Sequence, residues 1–155
     1  MKNIITITGG KHTGKMVLAS KLSENSDCIW VKPYTDNQRA YPDCYHPLIK
    51  EDLDKMIEDE KPVFTTIIRG FRYVVFPSQL NAEYNILIVD DYALIDVKEA
   101  WNEHIITIKV HSDREEPSLR SGVYLFDHEF DEVYNVDTDD FDELVWRIEQ
   151  YGLTN

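Results

Sequence analysis

The densest chemistry in this chain lies in Gly9-Gly10-Lys11-His12-Thr13-Gly14-Lys15, followed by Met16. Two glycines at this spacing let successive backbone N–H groups converge on one point, which suits a polyanion and in particular a phosphate. Lys15 adds a flexible point charge, and a helix starting beside it adds the positive end of its dipole. The pattern is Gly-x-x-x-x-Gly-Lys, which calls for a Ser or Thr next, whose hydroxyl would hold Mg²⁺. Met16 stands there instead. A second candidate is Asp90, at the end of the apolar run Ile86-Leu87-Ile88-Val89. An acid in that position can hold Mg²⁺ directly or through water, or simply cap a following helix.

Both groups need particular elements to position them. Met1 to Thr8 reads as a buried β-branched strand, and Lys15 to Ser23 carries Met16, Leu18, Ala19 and Leu22 at helical spacing. Strand, glycine loop and helix in that order are the context of the P-loop, so residues 9–16 are expected to hold the phosphates of a nucleoside triphosphate. Asp27 to Val31 reads as a short strand, Lys32 to Cys44 as an aromatic, Pro-punctuated loop, and Lys50 to Glu58 as an amphipathic helix. Val63 to Ile68 and Phe71 to Phe76 flank Arg69-Gly70 as a hairpin. Tyr84 to Val89 is a buried strand, Tyr92 to Glu103 a helix, Ile105 to Val110 a strand and Asp113 to Gly122 a short helix. Glu132 to Val136 is a last strand and Asp139 to Tyr151 a closing helix, with Asp137 or Thr138 as its cap. Strands alternating with helices predict an α/β fold whose mostly parallel sheet is covered on both faces. In such a sheet ligands sit beyond the carboxyl ends of the strands, where residues 9–15, the loop after Val31 and Asp90-Asp91 all fall.

Composition narrows the function. The length suits one domain with one sizeable core. A net charge of −13 sets long-range repulsion against nucleic-acid backbones, although it leaves a local nucleotide pocket open. The acids concentrate in 127–132 and 137–143, which read either as a decoy surface for a basic partner or as solvated helix starts. No apolar run approaches a membrane span, the first residues carry no leader pattern, and Cys28 and Cys44 make no disulfide scaffold, so a cytoplasmic protein is expected. The five histidines show no metal-ligand spacing with the cysteines.

Order and spacing together resemble guanylate kinase, a P-loop nucleoside monophosphate kinase. The residues that carry the resemblance are Gly9 to Lys15, Tyr45-His46-Pro47, the acidic helix ending Met56-Ile57-Glu58, the hairpin Gly70-Phe71-Arg72-Tyr73-Val74-Val75, Val89-Asp90, and Phe130 to Asp137. The resemblance implies a three-layer P-loop fold in one domain, with a core of about 1–31 and 84–155 and an acceptor-binding subdomain of about 32–83. It implies ATP and Mg²⁺ as cofactors and GMP or another (deoxy)nucleoside monophosphate as acceptor. Lys15 and Asp90 would be catalytic, with Asp90 also the metal ligand and within reach of the acceptor. Arg39, Tyr45 and Tyr73 would hold the acceptor phosphate, although unaided they read equally well as a loop arginine and two packing tyrosines.

The departures matter as much. Asp36 stands where the family has its first phosphate-holding arginine, Phe64 on or near the glutamate that reads guanine, and Val74-Val75 where the family has Gly-Thr. The stretch between Ser112 and Phe130 is roughly half the family's length, which removes the arginine-rich lid and leaves Arg114 and Arg120 as stand-ins. Both also suit surface pairing with Glu115 and Glu116. Two readings follow: a working kinase, or a degenerate module that binds another protein through its acidic or aromatic surface. So short and acidic a version resembles a bacteriophage-encoded protein directed at a host factor.

Overall fold

A computed structural model of the chain describes residues 3–10, 13–101, 104–114 and 125–151. In chain order it contains β1 (Asn3–Thr8), α1 (Lys15–Ser23), β2 (Cys28–Trp30), β3 (Tyr34–Thr35), β4 (His46–Pro47) and α2 (Lys50–Asp59). There follow β5 (Phe64–Ile68), β6 (Phe71–Val75), β7 (Tyr84–Ile88), α3 (Asp91–Ala100), β8 (Ile105–His111), β9 (Glu132–Asn135) and α4 (Phe141–Glu149).

The larger sheet has the order β2-β7-β1-β8-β9 and every pairing in it is parallel. β1 is buried along its whole length because helices cover both faces. Ile5 and Ile7 point to the side packed by Leu18 and Leu22 of α1 and Leu144 and Ile148 of α4. Ile4 points to the other side, with Leu94 and Val97 of α3. That second core also takes in Phe64 of β5 and Val75 of β6, so the smaller sheet is anchored over the α3 face. The smaller sheet has the order β4-β3-β6-β5, and Leu53 of α2, fully buried, packs on it with Val74 and Phe76.

Local chemistry explains the boundaries. The hairpin between β5 and β6 turns through Arg69 at φ 54° and Gly70 at φ 84°, the doubly left-handed geometry of a tight turn matched to strand twist. α3 begins where the Asp90 carboxylate accepts the Ala93 N–H at 2.7 Å. α4 starts later than the sequence suggests. Its cap is Asp140, which accepts the Asp142 N–H at 2.9 Å, rather than Asp137 or Thr138. Asp137 instead accepts from the Asp113 N–H and Asp139 from the Asn135 N–H. Such contacts depend on a turn that composition does not encode.

The stretch Lys32 to Cys44 is likewise not all loop. Tyr34 and Thr35 pair with Val74 and Tyr73 on one side and with His46 and Pro47 on the other. A two-residue strand has no period to read, and its partners on β6 lie far away in the chain. The helix expected over 113–122 falls almost entirely outside the described residues.

Candidate functional site

The glycine loop joins β1 to α1 at the carboxyl edge of the central strand. Gly9 is required by space, because a Cβ there would lie 2.6 Å from the Val110 carbonyl oxygen and 2.8 Å from Thr13 Oγ1. Gly14 is required by conformation, with φ 85° at the N-cap of α1. The buried Thr13 hydroxyl donates to the Gly10 carbonyl at 2.9 Å, and Lys15 Nζ donates to the Gly9 carbonyl at 2.9 Å. The lysine thus folds over the turn where the motif places phosphate. Met16 is half-buried and brings no hydroxyl. Lys11 and His12 lie outside the described residues.

A cavity of about 720 Å³ opens beside this loop, between the carboxyl ends of the large sheet and the inner face of the small one. Its lining includes Lys15 and Asp90 from the core, and Arg39, Tyr45 and Tyr73 from the smaller sheet and its loops. The Tyr45 and Tyr73 rings meet edge to face with centroids 5.1 Å apart. Asn37 Nδ2 donates to the Tyr73 hydroxyl at 3.0 Å, and Asn37 Oδ1 accepts the Arg39 N–H at 3.0 Å, so one side chain sets both phosphate-holding candidates. Arg114 is exposed and does not line the cavity, and its backbone N–H donates to Ser112 Oγ. Arg120 lies outside the described residues.

Asp36 does not stand as an open negative charge facing the site. Its two carboxylate oxygens accept from Arg72, one from the backbone N–H and one from Nε, both at 2.9 Å. Arg72 also reaches Asp54 of α2 at 2.7 Å. Burial pushes the Asp36 carboxyl up, but hydrogen bonds to Arg72 and its charge outweigh burial and hold it below the usual carboxylate range. The clamp ties the loop after β3 and helix α2 to the hairpin strand β6. Nothing in the sequence advertises it, since the partners are 36 residues apart.

A second pair could have been suspected. Lys109 interrupts the buried run Ile105 to Val110 at 2% exposure, and a buried cation demands a partner. Its Nζ is 3.8 Å from Asp91 Oδ1 and 5.3 Å from the centre of the Phe130 ring. Asp91 Oδ2 accepts the Leu125 N–H at 2.5 Å. Of the two adjacent acids, Asp91 therefore turns inward as a structural link, while Asp90 lines the cavity. Among the described residues no cluster of three His, Cys, Asp or Glu is arranged to hold a metal ion, and no helix is long and apolar enough to cross a membrane.

A parallel sheet with the glycine loop after its central strand and a mixed sheet over its carboxyl edge defines a nucleotide-kinase-like P-loop α/β fold. In three dimensions the chain is similar to guanylate kinase from Anaplasma phagocytophilum, with a TM-score of 0.61, over 96% of this chain and 83% of that one. The two are 15% identical, so the likeness is one of fold, a divergent guanylate-kinase-like one. No protein-family profile and no curated protein sequence matches the chain.

Proposed function

We propose that this protein binds ATP through residues 9–16 and a (deoxy)nucleoside monophosphate in the adjoining cavity, and transfers the γ-phosphoryl group between them. The observation that carries this reading is the cavity itself, whose lining runs from Lys15 through Asp90 to Arg39, Tyr45 and Tyr73. Lys15 would exchange the Gly9 carbonyl for β- and γ-phosphate oxygens, a contact with charge on both partners in place of one to a neutral carbonyl. Arg39 would grip the acceptor phosphate with its planar fork, and the two tyrosines would hydrogen-bond the same oxygens. An oxygen of the acceptor's phosphate would attack the γ-phosphorus in line as the bond to the β–γ bridging oxygen breaks and ADP leaves, with positioning and charge neutralisation supplying most of the rate.

The residues suit Mg²⁺ held largely by water and phosphate. Asp90 has one oxygen engaged by the Ala93 N–H and a second to offer, while Met16 offers none. Mg²⁺ bound with ATP would neutralise charge on the β- and γ-oxygens. Arg114 and Arg120 are the candidates for the charge-stabilising role of a lid. The nucleotide-kinase-like fold also agrees with an intracellular, nucleotide-rich setting.

A second reading, a catalytically degenerate module that engages another protein, is favoured by one observation. The carboxylate at 36 is consumed by the Arg72 clamp, so the place where the resemblance expects a phosphate-holding arginine serves structure instead. Incubation with ATP, Mg²⁺ and each nucleoside monophosphate in turn separates the two. The kinase reading expects ADP and the matching diphosphate, abolished in Lys15→Ala. Thermal stabilisation by ATP without turnover for any acceptor would transfer the conclusion to the second reading.

A further inference from the structure

Strand β8 carries a lysine into the core. Lys109 is 2% exposed and stands opposite Thr8 in the β1–β8 register, next to the start of the glycine loop. Its Nζ is 3.8 Å from Oδ1 of Asp91, which is 8% exposed and is the first residue of α3. The Leu125 N–H holds Asp91 from a second side, donating to Oδ2 at 2.5 Å. An ion pair at this depth adds little stability over apolar side chains of the same volume, because both charges must leave water. The lysine also stands beside the positive end of the α3 dipole, which opposes it. Folding stability therefore does not account for the pair, but its place in the chain does. One peptide bond joins Asp91 to Asp90, whose carboxylate lines the cavity with one oxygen on the Ala93 N–H.

We infer that Lys109 is a positioning residue: through Asp91 it decides which of two adjacent carboxylates faces the cavity, and so leaves Asp90 to take the divalent cation bound with ATP. The inference rests on the proposed kinase reading and adds a residue to it. Side chains one residue apart leave a helix about 100° apart, so fixing Asp91 inward keeps Asp90 turned toward the cavity. With the lysine charge removed, Asp91 becomes a buried carboxylate without a countercharge, and the first turn of α3 shifts to bring it to water. With the Asp91 charge removed, the buried ammonium attracts the adjoining carboxylate of Asp90, whose second oxygen is the one offered to the cation. Either loss alone displaces Asp90. Loss of both charges together leaves no buried charge to move it.

The test is a double-mutant cycle on Lys109→Met, Asp91→Asn and the double variant, read by calorimetric titration of the full chain with ATP, once in Mg²⁺ and once in EDTA. The quantity compared is the gain in ATP affinity that Mg²⁺ brings. A purely structural role leaves that gain in place at temperatures well below melting. Each single variant should lose about ten- to hundredfold of it, the effect of removing an outer partner of a metal ligand, with ATP affinity in EDTA unchanged. Asp91→Asn keeps an acceptor for the Leu125 N–H, so its loss reports the charge. The double variant should keep the gain and melt no lower than wild type. Where Lys109→Met does not fold, Asp91→Asn against the double variant decides. A gain kept in either single variant, or lost equally in the double one, overturns the inference and leaves the kinase reading standing. So does wild-type ATP binding that is indifferent to Mg²⁺. Absence of ATP binding in both conditions overturns the kinase reading itself.

Discussion

Replacing Arg72 by Met keeps most of the side-chain volume and removes the charge that joins three segments of the smaller sheet. The Arg72 and Asp36 side chains are 24% and 11% exposed, so their pair is screened far less than a surface ion pair. One charged hydrogen bond to Asp36, from Nε, is lost at about 1.5–3 kcal/mol, while the bond from the backbone N–H of residue 72 remains in place. The Asp54 contact is 47% exposed on the acid's side and adds about 0.2–1 kcal/mol. Asp36 is then left largely buried with its charge uncompensated, which is the more costly half of breaking such a pair. A loss of about 2–4 kcal/mol follows, or about 4–16 °C in melting temperature for a domain of this size. Urea unfolding of wild type, Arg72→Met, Asp36→Asn and the double variant measures both the loss and the coupling. The double variant should be less destabilised than the sum of the singles by about 1–2 kcal/mol, as expected for residues in one network. A loss below about 1 kcal/mol in Arg72→Met, or strict additivity, would refute the clamp.

Further consequences are measurable in the same way. The lowered carboxyl of Asp36 contributes stability that is fully present above its ordinary value of 3.8 and is lost as pH falls through the lower folded-state value, so the gap between wild type and Asp36→Asn should close in the most acidic part of a pH series. Gly9→Ala pushes a Cβ against the backbone carbonyl of Val110 and should destabilise by about 1–3 kcal/mol while also weakening ATP-induced stabilisation in a thermal-shift assay. Burial, with help from Asp27, pushes the Cys28 thiol up to about 11, so iodoacetamide should modify it far more slowly at pH 8 than it modifies a free cysteine, as followed by mass spectrometry. Asp90→Ala removes the α3 cap and should lower stability by about 1 kcal/mol; a much greater loss of phosphoryl transfer than of stability is the signature of a role beyond the cap.

Much was legible in the chain because the features concerned are local. The alternation of apolar strands and amphipathic helices predicts the parallel sheet, since each element must bury its own face. Gly9 and Gly14 announce the tight turn between strand and helix because the geometry that needs them spans only a few residues. The Arg69-Gly70 turn is legible for the same reason. The tertiary structure decided what depends on groups brought together from afar. It turned Asp36 from a repelling charge into the partner of Arg72, set Asp90 on the cavity and Asp91 against Lys109, and moved the cap of α4 to Asp140. It also made a small sheet out of Tyr34 and Thr35, whose partners on β6 no local period can predict. Periodicity records which face of an element is buried, whereas the partner of a charge is set by packing between elements. Only the fold could leave the Thr66 hydroxyl buried and, among the described residues, unpaired.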